Sequence, residues 1–375
     1  MQREPVTPRP DWRERCEAVG FGYHTIDGTY WDESACYAFS ADEIDRLESA
    51  TAALHQMCLD ACQHVITQRR FAEFAIPQPF QALVETSWQR RDPTIFGRFD
   101  LAWTGTGDPK LLEYNADTPT ALLESSVAQW HWMQDVKAGC DQFNSLHEKL
   151  IEAWRAYAPQ LGGSMLHFAC VRGHEEDLGN LEYLRDTAIQ AKIPTVQVYI
   201  EDIGWDASAR CFVDLERHPI HALFKLYPWE WLATEAFGQH LIGEPCRMIE
   251  PAWKMLLSNK AMLAVLWELF PDSPYLLPAY RDPVHLNGDY VRKPILSREG
   301  ANIALRRAAG AMVTPGTYGT EGHVYQGFTP LLQTDGHYAV IGSWIIGDQP
   351  AGIGIREDRS AVTTNASRFI PHYFT

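Results

Sequence analysis

The sequence predicts a mixed α+β and α/β fold, and three stretches carry that prediction. Residues 94–120 (TIFGRFDLAWTGTGDPKLLEYNADTPT) read as a β-hairpin, with Gly105, Gly107, Asp108 and Pro109 at the turn. Residues 165–200 read as strand, helix and strand, half of an open parallel sheet. Residues 323–356 read as successive strands of an antiparallel set. With 375 residues, 46% of them apolar, the chain can bury a large core in two or three domains or one elaborate α/β unit.

Pro5, Pro8 and Pro10 keep the start extended. Residues 1–40 are expected to be irregular, an arm packed by Phe21, Tyr23, Tyr30, Trp31, Tyr37 and Phe39. Ser40 before Asp42 and Glu43 reads as an N-cap with acid in the first turn. Leu47, Leu54, Met57, Cys58, Cys62 and Val65 then recur at helical spacing to about residue 69. A shorter helix is expected over 80–90. After the hairpin, a helix over 121–138 is expected, capped by Thr118 or Thr120, so that its N-terminus favours anions beside the hairpin.

A helix over 142–157 leads to the strand at 165–171, the helix at 178–191 and the strand at 196–200. The loop between the first two carries Arg172, His174, Glu175, Glu176 and Asp177. Open sheets bind ligands at the carboxyl ends of their strands, so this acidic loop is placed to meet a cationic group. A solvated loop capping the next helix fits equally well. A short strand at 223–226 contains Lys225. A helix is expected to begin near Ser258 with Asn259 and Lys260 in its first turn, where a lysine opposes the dipole unless an anion neutralises it. On the strand at 289–295, Lys293 shares a face with Val291 and Ile295, and a buried lysine needs an anion. The loop after it (Ser297, Arg298, Gly300, Ala301, Asn302) is small and polar, suited to closing backbone N–H groups over phosphates. Strands at 323–328, 338–346 and 351–356 complete the antiparallel set, with Arg356 following the small-residue run GIGI.

The hairpin carries the most informative pattern. Arg98 and Asp100 on one strand, and Glu113 and Asn115 on the other, have i, i+2 spacing, so each pair shares a face. If opposed residue numbers have an odd sum, all four side chains share one face, with opposed Cβ atoms roughly 4.5–5.5 Å apart. An even sum splits the pairs. On one face they make a cluster of one guanidinium, two carboxylates and an amide oxygen. Hard oxygens suit Mg²⁺ and the arginine suits phosphate. The alternative is a solvated hairpin with two surface ion pairs.

The net charge of −16 and pI of about 5.3 argue against a nucleic-acid partner. No basic stretch followed by an apolar run opens the chain, and no apolar run is long enough to span a bilayer. No membrane partner is expected, and the expected compartment is the cytoplasm. Of eight cysteines only Cys58 and Cys62 are close, with no second pair at zinc-ligand spacing, so reduced buried thiols are expected. Walker A, kinase catalytic-loop, GxSxG and HExxH motifs are absent. Magnesium-type oxygens, scattered lysines and arginines and a small-residue loop point instead to ATP clasped between β-rich lobes, as in ATP-grasp ligases.

The stretches RPDWRE (9–14), ALHQMC (53–58), GRFDLAW, LLEYNADTPT, DQFNSLHEKLI (141–151), FKLYPWE, EPAWK, SNKA, KPILSREGAN, GSWIIGDQPAGIGIRED and SRFIPH (367–372) run in order through nearly the whole chain. They resemble the synthetase half of the glutathionylspermidine synthetase family, and most of all its stand-alone acid–amine ligase members without the amidase domain. The resemblance implies an ATP-grasp-type ligase with a pre-ATP-grasp α/β subdomain. Residues 1–160 would form a helical region with the metal-binding hairpin, 161–250 the α/β subdomain and 251–375 the nucleotide-binding region.

The same resemblance implies ATP and two Mg²⁺ ions as cofactors, and a carboxylic acid or peptide and an amine, possibly a polyamine, as substrates. Arg98 matches the arginine on the transferring phosphoryl group, and Asp100, Glu113 and Asn115 match the magnesium ligands. Lys260 and Lys293 match ATP-phosphate lysines, Ser297, Arg298 and Gly300 a lid over ATP, and Gln326, Gly327 and Phe328 the adenine hinge. Arg356 matches an arginine near the acyl substrate. Thr118 and Thr120 stand where the family has serines, and Leu226 where it has a threonine. Glu175 and Glu176 correspond, within a loosely similar stretch, to the family's paired polyamine glutamates. The implied reaction is amide formation through an acyl phosphate. The rival from another class is a nucleotide-binding regulatory protein of the same fold without the chemistry; a metal-dependent hydrolase would need an activated nucleophile that the sequence does not offer.

Overall fold

The computed structural model describes residues 1–26, 28–308, 310–364 and 367–375. It has a mixed α/β architecture built on several sheets. The central one is antiparallel, in the order Arg368–Ile370, Gln349–Asp358, His337–Ile346, Phe96–Ala102 and Lys110–Asn115, with Leu332–Thr334 added on His337–Ile346. The hairpin is therefore continuous with the C-terminal strands. The helix Ala41–Thr67 packs on this sheet, and Thr51 and Ser343 share a hydroxyl–hydroxyl bond of 2.6 Å across that contact. Its start is a capping box in which Ser40 accepts from the Glu43 N–H and Glu43 accepts from the Ser40 N–H.

A second sheet is wholly parallel, in the order Arg247–Ile249, Ala222–Leu226, Leu166–Cys170 and Thr195–Tyr199. The helix Glu175–Gln190 makes the crossover between the last two. A third sheet is antiparallel, in the order Ala279–Tyr280, His323–Gly327, Tyr290–Pro294, Ala304–Arg307 and Gly310–Val313. It meets the hairpin where Gln326 Nε2 donates to the Leu111 carbonyl at 2.9 Å and the Leu111 N–H donates to the Tyr275 carbonyl at 2.8 Å. No helix among the described residues is long and apolar enough to cross a membrane. All eight cysteines are free: Cys140 and Cys211 are half-buried and the rest buried.

Four expectations need correction. Residues 1–40 are not irregular: Gln2–Pro5 and Ala35–Phe39 are strands and Trp12–Ala18 is a helix. The second strand pairs in parallel with His372–Phe374 at the far end of the chain, and the six aromatic side chains are buried. The helix after the hairpin is not capped by Thr118 or Thr120. Ala121 has φ 67°, and the first N–H of the helix, at Leu122, goes to Asn180 Oδ1 at 2.8 Å. That first donor is thus taken by a side chain of another helix. Glu175 and Glu176 are not loop residues but stand in the first turn of Glu175–Gln190, where acid suits the dipole. Finally, Lys260 does not lie in a first helical turn. It sits in a break between the helices Lys254–Leu257 and Met262–Leu269, where its own N–H bonds to the Ile295 carbonyl at 2.9 Å.

Candidate active site

The hairpin register brings the four polar residues together. Arg98 opposes Asn115 and Asp100 opposes Glu113, both odd sums, so all four share a face. The reason lies on the other face, where Phe99 and Tyr114 stack at 3.9 Å within the core. A one-residue slip would drive the charged side chains into that core. A bulge between Asp100 and Leu101 then shifts the ladder so that Leu101 opposes Leu111, sending both leucines into the same core.

Asp100 is clamped between two arginines. Arg98 Nε donates to its Oδ1 at 2.9 Å and Arg356 Nη2 to its Oδ2 at 2.6 Å. Arg98 also donates from Nη1 to the Thr120 carbonyl at 2.6 Å and lies 5.7 Å from the centre of the Trp344 ring. Thr120 thus contributes its backbone oxygen. Gly342, which opposes Asp100 from the next strand, makes room for this guanidinium: a Cβ there would lie 2.9 Å from Arg98 Cδ.

Across the cleft stand the two lysines. Lys260 Nζ is 3.1 Å from Glu113 Oε2 and donates to the Ser297 carbonyl at 2.6 Å. Among the described residues Lys293 Nζ has no carboxylate partner: it donates to the Leu112 carbonyl and to Gln326 Oε1, each at 2.8 Å. Burial pushes Lys293 down to about 8 against the pull of Glu113, and Lys260 adds to the fall. Burial would raise Glu113, but Lys260, Lys293 and Arg356 outweigh it and hold the carboxyl at about 2. Arg356 is likewise held charged, Asp100 and Glu113 outweighing its burial. In an acidic chain, this cleft gathers Arg98, Arg356, Lys260, Lys293 and Arg298 around Asp100, Glu113 and Glu230, while Asp117, which also lines it, is paired with Lys225. That excess of positive charge suits a polyanion.

A cavity of about 250 Å³ brings together Asp100, Glu113, Lys260, Lys293, Gly300, Gln326, Gly327 and Phe328. The polar groups at 326–328 are already engaged. Gln326 uses both ends of its amide, the Gly327 N–H bonds to the Pro278 carbonyl and the Phe328 N–H to the Asp289 carbonyl. A small hollow next to it is lined by Asn115, Thr118, Glu230, Ser297 and Arg298 and shares Lys260 with the larger cavity. Gly300, at φ 70°, packs its loop onto Thr363, whose carbonyl would be 2.4 Å from an added Cβ. Glu175 is not among these groups: it is exposed and lines a separate hollow with Val19, Gly22 and Leu178. Glu176 is on the site side, close enough to act electrostatically on Arg356.

The donor chemistry fits Mg²⁺. Asp100 and Glu113 are opposed carboxylates with the Asn115 amide beside them, and Mg²⁺ is typically held by one or two carboxylates plus substrate phosphates. No cluster of three or more His, Cys, Asp or Glu side chains suited to a metal occurs among the described residues.

Two groups escaped the sequence reading. Glu124 is fully buried in a π-helical turn, accepts from the Tyr30 hydroxyl at 2.6 Å and leaves its Oε2 unpartnered. Burial, with Glu176 adding, pushes it up to about 8. Its signal was a carboxylate directly after the apolar triplet Ala121-Leu122-Leu123. Glu230 holds Arg298, and its signal was its place just past the end of a parallel strand.

This fold and site define a class: a mixed α/β protein with a cation-lined cleft closed at one side by a small-residue loop. The chain belongs to the glutathionylspermidine synthase preATP-grasp family, whose model matches residues 3–375. It is 43% identical to the Haemophilus influenzae protein named "Putative acid–amine ligase", over 98% of this chain and 97% of that one. It is 29% identical to the trypanothione synthetase of Crithidia fasciculata, covering 95% of this chain and 57% of the relative. With the bifunctional glutathionylspermidine synthetase/amidase of Escherichia coli it shares 26% identity, over 96% of this chain and 63% of the relative. Its fold is similar to a glutathione synthetase-like effector from Globodera pallida, with a TM-score of 0.62, 10% identity and 98% coverage of both chains. The three sequence relatives carry the names of a ligase or a synthetase.

Proposed function

We propose that this protein is an ATP- and Mg²⁺-dependent carboxylate–amine ligase of the ATP-grasp type, forming an amide through an acyl phosphate and releasing ADP. The observation that carries this reading is the opposed pair Asp100 and Glu113, set between Arg98 and Arg356 on one side and Lys260 and Lys293 on the other. Magnesium held by Asp100, Glu113 and Asn115 would screen the charge of the polyphosphate. Lys260 and Lys293 bind that polyphosphate, the 297–300 loop covers it, and residues 326–328 border the base.

Arg98 stabilises the phosphoryl group in transfer, and Arg356 holds the acid's carboxylate beside Asp100. The carboxylate attacks the γ-phosphorus of ATP and ADP leaves. The amine, once deprotonated, attacks the acyl carbon and phosphate leaves. Glu176 supplies negative charge for a cationic amine, and Thr118 faces the acyl portion. The domain division at about residues 160 and 250 and a cytoplasmic setting belong to the same reading. The test is ADP release with ATP, Mg²⁺ and a panel of peptides and polyamines. Turnover that depends on both an acid and an amine and disappears in Asp100→Ala is expected. A wild-type chain no better than that variant across the panel would sink the reading.

A further inference from the structure

Arg298 does not hang free from its loop. Its Nε donates to Glu230 Oε1 at 2.9 Å, its Nη2 lies 2.8 Å from the same oxygen, and its Nη1 donates to Thr118 Oγ1 at 2.8 Å. The guanidinium also lies 5.8 Å from the centre of the Trp231 ring. Glu230 is itself placed by a buried ion pair: Asp117 accepts from Lys225 Nζ at 2.6 Å and from the Trp229 N–H at 2.9 Å. The helical turn Trp229–Leu232, which carries Glu230, is thereby pinned to the chain leaving the hairpin. A guanidinium has five N–H donors, and these contacts engage three. The remaining two have no partner among the described residues, and Arg298 lines the small hollow together with Lys260 and Asn115.

We infer that Glu230 is a positioning residue for ATP: it fixes Arg298 so that its free N–H groups meet the polyphosphate. The inference rests on the ATP-ligase reading above and extends it, because it makes nucleotide affinity depend on a carboxylate of the parallel-sheet unit. Two effects compete at Glu230. Its charge repels phosphate, whereas its hold on Arg298 spares the cost of ordering a long, rotamer-rich side chain and its loop on binding. The two-donor hold on one carboxylate oxygen makes the second effect the larger one.

The experiment measures ATP·Mg²⁺ affinity by calorimetry without acid or amine, in wild type, Glu230→Ala, Glu230→Gln, Arg298→Ala and the double variant Glu230→Ala/Arg298→Ala. Glu230→Ala is expected to weaken ATP about tenfold and Glu230→Gln less, since the amide oxygen still accepts. In the Arg298→Ala background the Glu230 change is expected to weaken ATP no further, and the lost repulsion tightens binding slightly. Unchanged or tighter binding in Glu230→Ala, or an equal loss in both backgrounds, would overturn the inference. Tryptic cleavage after Arg298 in the nucleotide-free chain is the second readout, expected to be several-fold faster in Glu230→Ala; an unchanged rate also overturns it. A wild-type chain that binds no ATP counts against the ligase reading instead, and the cleavage rates then still decide whether Glu230 holds Arg298.

Discussion

Lys225 and Lys293 are both buried lysines on strands, and they are used in opposite ways. On the parallel sheet, Lys225 is fully enclosed, 2.6 Å from Asp117, whose other oxygen accepts a backbone N–H. Every charge there is answered within the protein. On the antiparallel sheet facing the hairpin, the hydrogen bonds of Lys293 among the described residues go to a carbonyl and an amide oxygen. Neutral acceptors satisfy its hydrogen bonds but not its charge. The difference separates a lysine that closes a fold from one that, on the proposed ligase function, meets an anion of the substrate. Asp100 shows the same economy in reverse, one carboxylate shared by two arginines, so that the site is left cationic.

The largest test removes the shared carboxylate. Asp100→Ala is expected to lower turnover by about a thousandfold, the scale of losing a group aimed at developing charge, while circular dichroism stays native. Loss of the fold together with activity would mean that the two arginines need Asp100 structurally, and the contrast with the parallel sheet would then break.

The lysines can be compared directly. Lys225→Met strands the buried Asp117 carboxylate and is expected to cost about 3–5 kcal/mol in urea unfolding. Lys293→Met strands no charge that Lys260 does not already face, so its cost is expected to stay near 1 kcal/mol while ATP binding is lost. Equal destabilisation by the two changes would remove the distinction drawn here.

How much of this was legible in the sequence follows from range. The hairpin was legible because its alternation is local: Phe99 and Tyr114 face one way, Arg98, Asp100, Glu113 and Asn115 the other. Lys293 was legible as a charge on an apolar face, and the Ser40 cap from three residues. The break at Lys260 was not, because Ser258 and Asn259 read as the start of a helix, while the interruption is held by distant partners: the Lys260 N–H bonds to the Ile295 carbonyl and the Asn259 amide to the Phe74 carbonyl. The first strand was hidden by its prolines and by a sheet completed at residues 372–374. The clasp of Arg356 on Asp100 joins residues 256 positions apart, and no spacing encodes it.

Glu124 is the carboxyl counterpart of Lys293, pushed up to about 8 by burial where Lys225 is held by a partner. A carboxyl raised in the folded state binds its proton more tightly there than in the unfolded chain. Its contribution to stability is therefore complete below about pH 4.5 and is lost as pH rises through about 8. Glu124→Gln is expected to match wild type near pH 5 and to exceed it by about 2–4 kcal/mol at pH 8 in unfolding measurements. Asp177 and Glu250 are raised as well, so the wild-type slope alone does not isolate Glu124; the difference between the two proteins does. A difference that stays flat with pH would mean that the site is solvated.

The smallest expected effect sharpens the role of Lys293. The ammonium must be charged to hold phosphate, and burial sets its free value at about 8. Bound polyphosphate raises that value, so affinity is complete below pH 8 and declines above it as the free chain gives up the proton it needs. ATP binding is expected to weaken about threefold between pH 7.5 and 8.5 in wild type. Arginine stays charged throughout, so Lys293→Arg is expected to show a flat profile, whatever its absolute affinity. If the decline persists in Lys293→Arg, the titrating group lies elsewhere in the cleft. Lys293 would then already be neutralised in the free protein, as Lys225 is, and the two lysines would no longer differ in kind.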